Sequence, residues 1–326
     1  MDVSRLKSYW SYLRRMRLLH YVHNVLHAGS LQKNKSLYER FEIRKGVFSS
    51  VSHKDIRKHS GEVPWADRPD ARNRLVTVGE LPNPLTRVDL EHWIDNGYLV
   101  LSKFFSESIV DRVNQETQDL IAAHAVDFDY TNSRVMNIWR KSNTARECIT
   151  DTKLGEVLST LLGKKVVPFQ SISFLKGSRQ KTHSDFIHMS TEPHGYLIAI
   201  WLALEDIQAD SGPLHYYPGS HRLPYVMGED FDHSSNALVV GDDLYGNYEK
   251  KIAAVVEEQH LQKKVFLARK GDVLIWHANL LHGGEPVTNS DATRKSLVAH
   301  YFCEGEILCY HEITQRPAII QPITAS

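Results

Sequence analysis

The sequence predicts a mainly β fold with flanking helices, a sandwich or jelly roll, on two observations. Beyond residue 165 the apolar residues fall into short runs of strand length, at 166–175, 196–204, 214–217, 272–276 and 296–302. Between the runs stand turn signals: Lys176-Gly177, Asp210-Ser211-Gly212-Pro213, Pro218-Gly219-Ser220 and Lys270-Gly271-Asp272. Many short strands joined by Gly/Pro turns build sandwiches and jelly rolls.

Taken in order, residues 6–26 suit a helix with Leu6, Tyr9, Trp10, Leu13 and Met16 on one side and Arg14, Arg15 and Arg17 on or near the polar side. A basic amphipathic helix can lie on an anionic membrane. The apolar stripe drifts, which favours a helix packed on its own domain or on a partner subunit. Residues 30–85 are polar and carry Pro64, Pro69, Pro82 and Pro84, so 1–85 reads as a helical and irregular extension. Thr86 can cap a helix that ends near Asn96 at Gly97, and 98–101 follows as a buried strand. Ser106 caps a second helix with Ile109, Val113, Leu120 and Ile121 on its buried face, and a third spans 153–162 before Gly163. The strands come next. They are interrupted by 223–264, which holds a helix over about 248–262. An insertion of that length in a compact domain is either a lid or binding loop or an inert surface insertion, which loops tolerate. The β domain runs over 86–315, and 316–326 is a tail.

Lys+Arg and Asp+Glu both number 39 in 326 residues, so no global charge points to nucleic acid and the expected partner is a small molecule. Three cysteines (Cys148, Cys303, Cys309) without a Cys-x-x-Cys pair suit a reducing, cytoplasmic setting rather than a disulfide framework or that type of zinc site. The longest apolar run has nine residues, far short of a membrane span, and the first residues do not read as a secretory signal. Oligomeric state leaves no mark in the sequence.

The chemistry concentrates in His183-Ser184-Asp185 and, downstream, His282. Alternate residues of an extended chain point to one side, so His183 and Asp185 can reach a single ion. Two imidazoles and one carboxylate on one face of a metal are the set used by non-haem Fe(II) oxygenases. His277 competes for the third position. It closes an apolar strand, whereas His282 precedes Gly283-Gly284, where backbone can approach a ligand. Arg294 and Ser296 form an Arg-x-Ser pair on a strand, offering a guanidinium fork and a hydroxyl to a carboxylate.

Further pieces fall in one order. Gln170-Ser171, His183-Ser184-Asp185, the run from Trp201 to Asp206, Gly212-Pro213-Leu214, Pro218-Gly219-Ser220-His221, Gly271-Asp272-Val273 leading to His282, and Arg294 resemble the phytanoyl-CoA dioxygenase family, which includes ectoine hydroxylase. The resemblance covers about 86–305. Leu90-Glu91-His92-Trp93 through Gly97-Tyr98-Leu99-Val100 is similar to the family's opening. It implies a double-stranded β-helix (cupin-like) core, with Fe(II), 2-oxoglutarate as cosubstrate and O2. It makes His183, Asp185 and His282 the iron ligands, places Arg294 on the distal carboxylate of 2-oxoglutarate, and puts Gln170 and Trp201 beside the cosubstrate pocket. Asp185 stands where the family's halogenating members carry a small residue, so the resemblance implies hydroxylation or a related oxidation.

Two other readings stay open from the residues: a cupin-like metalloenzyme without 2-oxoglutarate, and a non-catalytic metal-binding module. Arg294 and Ser296 separate the first from the oxygenase. His188, His194, His215 and His221 either line the substrate pocket or serve the structure. Lys176, Arg179, Lys181, Lys250 and Lys251 either meet a phosphate or solvate loops.

Overall fold

The structure, a computed structural model, describes residues 12–77, 79–128 and 133–325; Leu6, Tyr9 and Trp10 lie outside that range. Helix α1 (Arg17–Leu26) packs on the body of the protein, but by its polar side. His20 and Asn24 are buried, and the Asn24 amide donates to the Phe48 carbonyl at 2.9 Å. Leu18, Leu19, Val22, Val25 and Leu26 face outward. Of the stripe expected at Leu6, Tyr9, Trp10, Leu13 and Met16, only Leu13 and Met16 are described, both half-buried; in α1 beyond them the inward side is polar because its groups find backbone partners. Residues 41–77 wrap the β domain closely: Phe41, Ile43, Val51 and Ile56 form a cluster with Leu308 and Tyr310, and the Trp65 indole donates to the Thr160 carbonyl at 2.8 Å.

Helix α2 (Arg87–Asn96) starts at a capping box between Thr86 and Asp89 and stops at Gly97, whose φ of 71° suits a residue without Cβ. Strand β1 (Tyr98–Leu101) follows, then α3 (Glu107–Ala122), capped by Ser106. The buried row of α3 is Val110, Val113 and Thr117, with Ile109 and Leu120 at its margins rather than its centre. Thr117 tolerates burial because its hydroxyl donates to the Val113 carbonyl at 2.7 Å. Helices α4 (Asn143–Ile149) and α5 (Thr152–Leu162) complete the helical layer, and α5 ends at left-handed Gly163.

The remaining strands are β2 (Arg134–Met136), β3 (Val166–Phe174), β4 (Ser190–Glu192), β5 (Leu197–Ala203), β6 (Leu214–Tyr216), β7 (Lys264–Phe266), β8 (Val273–His277), β9 (His282–Gly284), β10 (Ser296–Cys303), β11 (Leu308–His311) and β12 (Arg316–Pro317). A six-stranded antiparallel sheet runs β1-β8-β5-β10-β3-β2, and two three-stranded sheets run β12-β11-β4 and β7-β6-β9. Ile200, Leu202, Ile275, Leu297 and Ala299 on one face of the large sheet pack with the helices. Trp201, Leu274, Trp276 and Val298 on the other face pack with Leu214 and Tyr216 of β6. Burial on both faces explains why β5, β8 and β10 read as continuous apolar runs instead of alternating. The architecture is the expected jelly roll. Three of the strands without a signal in the sequence, β4, β7 and β9, are three residues long and carry Glu, Lys or Gly. The boundary drawn at 315 falls inside the β11–β12 hairpin, and Ile323 is buried with its N–H on the Pro168 carbonyl.

Within 223–264, helix α6 (Leu244–Glu258) begins a turn before the expected 248, with Gly246 accommodated in its first turn. Its buried residues Leu244, Tyr248 and Ile252 join Phe231 and Val240 against Ile187, Tyr217 and Leu281. Ile187 and Leu281 are close neighbours in sequence of Asp185 and His282. The insertion thus rests on the segments that carry those groups.

Candidate metal centre

Two chain segments distant in sequence meet through a pair of backbone hydrogen bonds: His183 N–H to the His282 carbonyl and the reverse, each 2.9 Å. This bridge sets the two imidazoles side by side, ring centres 4.5 Å apart. Asp185 opens a single helical turn, Asp185–Ile187, that directs its carboxylate between them. Gly283 permits the approach, because a Cβ there would stand 2.9 Å from the Gln180 carbonyl oxygen and from the His215 ring.

Each imidazole is oriented in the same way. His183 Nδ1 lies 2.8 Å from the Lys181 carbonyl and His282 Nδ1 lies 2.9 Å from the Leu280 carbonyl. A carbonyl only accepts, so Nδ1 carries the proton in both rings and Nε2 is left with its lone pair. Both Nε2 atoms face Asp185 Oδ1, at 3.7 and 3.6 Å. Burial lowers His282 to about 4, with Asp185 opposing, so that ring is neutral near pH 7. Burial pushes the Asp185 carboxyl up, but the neighbouring His282, His300 and His183 outweigh it and hold Asp185 well below the usual carboxylate range. Two imidazole lone pairs and a carboxylate oxygen therefore converge, all within 4.8 Å of one another and all buried. Such a set repels itself unless a cation or protons lie between its members, so the donors fit a metal ion. The Gln180 amide nitrogen, 3.1 Å from His183 Nε2, occupies one of these lone pairs and must withdraw when a metal binds.

The other carboxylate oxygen is already engaged. Asp185 Oδ2 accepts from the Trp276 indole at 2.7 Å and lies 3.3 Å from His300 Nε2. That leaves Oδ1 for an ion. Trp276 and His300 escaped sequence reasoning, although Arg294, Ser296, Val298 and His300 alternate along one strand face and extending the Arg-x-Ser parity by four residues reaches His300.

Arg294 is 2 % exposed, and no carboxylate among the described residues pairs with its guanidinium. Its Cζ lies 5.2 Å from the Phe174 ring centre and 5.7 Å from that of Trp201, and its Nε has no partner. Burial lowers it to about 10, so it remains a cation. The Ser296 hydroxyl on the same strand face is buried and unpartnered. Arg294, Trp201, Trp276, His300 and the three converging groups line one cleft. An uncompensated buried guanidinium at the wall of such a cleft fits an anionic ligand, a carboxylate in particular. Gln170 is paired with His300 in the β3–β10 register, on the same face but beyond the cleft lining.

The remaining histidines separate. His277 is buried on Asp67 at 3.1 Å, away from the cluster. His215 pairs with Glu285 at 2.8 Å, and His221 lies 3.3 Å from the Ile94 carbonyl and is lowered to about 3 by burial. His188 lies behind His183 and outside the cleft lining: its ring is 5.9 Å from that of His183 and 5.1 Å from that of Tyr245 on α6, and burial lowers it to about 3. Lys181 pairs with Glu249 of α6 at 3.0 Å, and Lys176 bonds the Ser290 carbonyl at 2.8 Å, so each has a partner on the protein surface. From α6, the Tyr245 hydroxyl meets the Gln180 amide at 3.2 Å, and the Tyr248 hydroxyl accepts the Ser184 N–H at 2.9 Å. Neither tyrosine carried a signal in the sequence beyond helix periodicity.

Comparison with known proteins agrees with this geometry. A profile of the phytanoyl-CoA dioxygenase (PhyH) family matches residues 93–296. Bovine (Bos taurus) peroxisomal phytanoyl-CoA dioxygenase is 21% identical over 244 residues, which is 67% of this chain and 69% of that one. Among solved structures, the non-heme alpha ketoglutarate dependent carbocyclase SnoK from nogalamycin biosynthesis superposes with a TM-score of 0.58 at 16% identity, over 76% of this chain and all of its own. Iron-bound EctD from S. alaskensis gives 0.53 at 21% identity, over 69% of this chain and 79% of that chain. At these identities the structures establish a shared fold.

Proposed function

This chain belongs to the phytanoyl-CoA dioxygenase family, and we propose that it works as an Fe(II)- and 2-oxoglutarate-dependent oxygenase that hydroxylates an unactivated C–H bond of a small-molecule metabolite. The observation that carries the reading is the convergence of His183 Nε2, His282 Nε2 and Asp185 Oδ1 beside a buried guanidinium without a counter-ion. In this reading those three atoms hold the iron, while Arg294 and Ser296 hold the distal carboxylate of 2-oxoglutarate. Iron and 2-oxoglutarate, when bound, supply the activation of dioxygen that yields succinate, carbon dioxide and an oxidised substrate carbon. The chain's own part is to fix geometry and exclude water. The Lys181 and Leu280 carbonyls lock the two ring tautomers, Trp276 and His300 hold Asp185 to one free oxygen, and the aromatic walls at Trp201 and Phe174 shield the Arg294 charge from solvent.

We assign the insertion 223–264 the role of lid over this cleft. Tyr248 reaches the peptide between the two ligands of the His-x-Asp pair, and Tyr245 bonds Gln180 of the cleft wall. Closure of such an element keeps the reaction dry. The balanced charge favours a small-molecule substrate over nucleic acid, and the three free, buried cysteines favour the cytoplasm.

The test is succinate release by purified protein supplied with Fe(II), 2-oxoglutarate and candidate metabolites. Production that requires both, and that needs far more 2-oxoglutarate in Arg294→Ala, is the expected result. Turnover of a metabolite without 2-oxoglutarate would replace this reading by a cupin-like metalloenzyme. Tyr245→Ala tests the lid: 2-oxoglutarate consumption should continue while product per succinate falls.

A further inference from the structure

Helix α1 is built inside out. Its buried residues are His20 and Asn24, while Leu18 is 65% exposed, Val22 50% and Leu26 78%. At 100° per residue, Leu18, Leu19, Val22, Val25 and Leu26 share one arc, with Tyr21 at its edge. Leu238 of the insertion, 77% exposed, lies beside the start of the helix, where Arg17 N–H bonds the Leu238 carbonyl and Val240 N–H bonds the Arg15 carbonyl, each at 2.9 Å. An exposed leucine of the insertion is therefore held beside the start of the helix.

Charge says what covers it. From residue 3 to residue 38 the sequence contains no Asp or Glu but seven cations, Arg5, Lys7, Arg14, Arg15, Arg17, Lys33 and Lys35, in a chain whose 39 basic and 39 acidic residues otherwise balance. Arg14, Lys33 and Lys35 are exposed, whereas Arg17 is tied to Asn236 and Gln315 and Arg15 to Asp242. A two-fold contact between copies of this face would set these unpaired cations against each other. An aliphatic arc within an acid-free, cation-bearing stretch of chain fits an anionic bilayer surface, with the aliphatic groups in the headgroup boundary and cations on the phosphates.

We propose that α1, with Leu238, docks this protein on anionic lipid membranes as a peripheral, non-spanning anchor. No helix among the described residues is long and apolar enough to cross a bilayer. The inference stands on the surface alone and does not depend on the reaction assigned above. Because Asn236, Leu238 and Val240 belong to the insertion over the cleft, the docked face and the cleft share one element.

The full-length protein is floated with vesicles of phosphatidylcholine and with vesicles of equal parts phosphatidylcholine and phosphatidylserine. Binding to the anionic vesicles only, reduced by salt, is expected. Leu18→Ser/Val22→Ser/Leu26→Ser should weaken it by roughly tenfold or more. Each of Arg14→Gln, Lys33→Gln and Lys35→Gln should weaken it by roughly fivefold. Val22→Cys carrying a polarity-sensitive fluorophore gives a second readout that does not depend on the triple variant folding: its emission should shift to the blue with anionic vesicles. No binding by the parent, no shift of the fluorophore, or equal binding by a folded triple variant overturns the proposal. So does a dimer in solution that the triple variant makes monomeric, since the face would then be a contact between copies.

Discussion

The protein contains two groupings of histidines around a buried acid, and only one is arranged as a metal site. In the cleft, His183 and His282 each give the Nδ1 proton to a carbonyl two residues earlier and aim Nε2 at one oxygen of Asp185. About Glu192, in contrast, His53 stacks on His59 with centres 4.8 Å apart, and His194 lies 5.6 Å from His53. Both Glu192 oxygens are occupied there, Oε1 by the Ser60 N–H at 3.0 Å and Oε2 by His59 Nδ1 at 3.0 Å. Among the described residues, only the first grouping brings three ligand atoms within 4.8 Å. Residue types alone do not make a site. The direction of the lone pairs does, and backbone acceptors set that direction.

The largest effect that would break this contrast is loss of the metal. His183→Ala, Asp185→Ala and His282→Ala should each abolish iron retention and turnover, measured by metal analysis after gel filtration. Glu192→Gln should keep both and lose only about 1–3 kcal/mol of stability, the cost of disturbing a buried hydrogen-bonded acid. Equal iron loss in the Glu192 variant would mean that the second grouping holds metal too.

Next comes Arg294. Removing one side of a buried charge pair costs ~2–5 kcal/mol, so Arg294→Ala should raise the 2-oxoglutarate concentration for half-maximal turnover by a factor of roughly thirty or more. Arg294→Lys should restore part of it, since a point charge cannot reproduce the fork. An unchanged requirement would remove the cosubstrate from the cleft.

A smaller effect is expected from the groups behind the ligands. Trp276→Phe deletes the 2.7 Å bond to Asp185 Oδ2 and should weaken iron binding by about tenfold to a hundredfold, read by competition with a chelator. Full affinity would show that His300 alone suffices to orient the carboxylate.

Acidity should distinguish the groupings last. Burial holds His194 down to about 4, so it stays neutral in the fold but takes up a proton on unfolding below its ordinary 6.5. Stability should therefore fall as pH drops from 6.5 toward 4, at up to ~1.4 kcal/mol per pH unit for this one group. His194→Gln should flatten that part of the denaturation profile. A slope unchanged by the substitution would show that Glu192 keeps His194 charged in the fold.

The elements legible in the sequence share a physical trait: their signals are local. A capping threonine with Asp89 three residues on, a glycine at a helix end, and five apolar runs between turns each specify structure within a few residues, and the jelly roll and the helices near 87–96, 107–122 and 152–162 follow from them. Alternation along an extended chain pairs His183 with Asp185 and Arg294 with Ser296, while His282 is preferred to His277 for the glycines that follow it and for the family resemblance. Trp276, His300, Gln180 and the α6 tyrosines were not legible, since their roles arise from contacts across the fold rather than along the chain. The orientation of α1 illustrates the limit best. Periodicity gives a stripe at Leu6, Tyr9, Trp10, Leu13 and Met16 that drifts beyond them; which side of Arg17–Leu26 turns inward was decided by His20 and Asn24 finding backbone acceptors, Arg14 and Phe48, that only the folded chain presents.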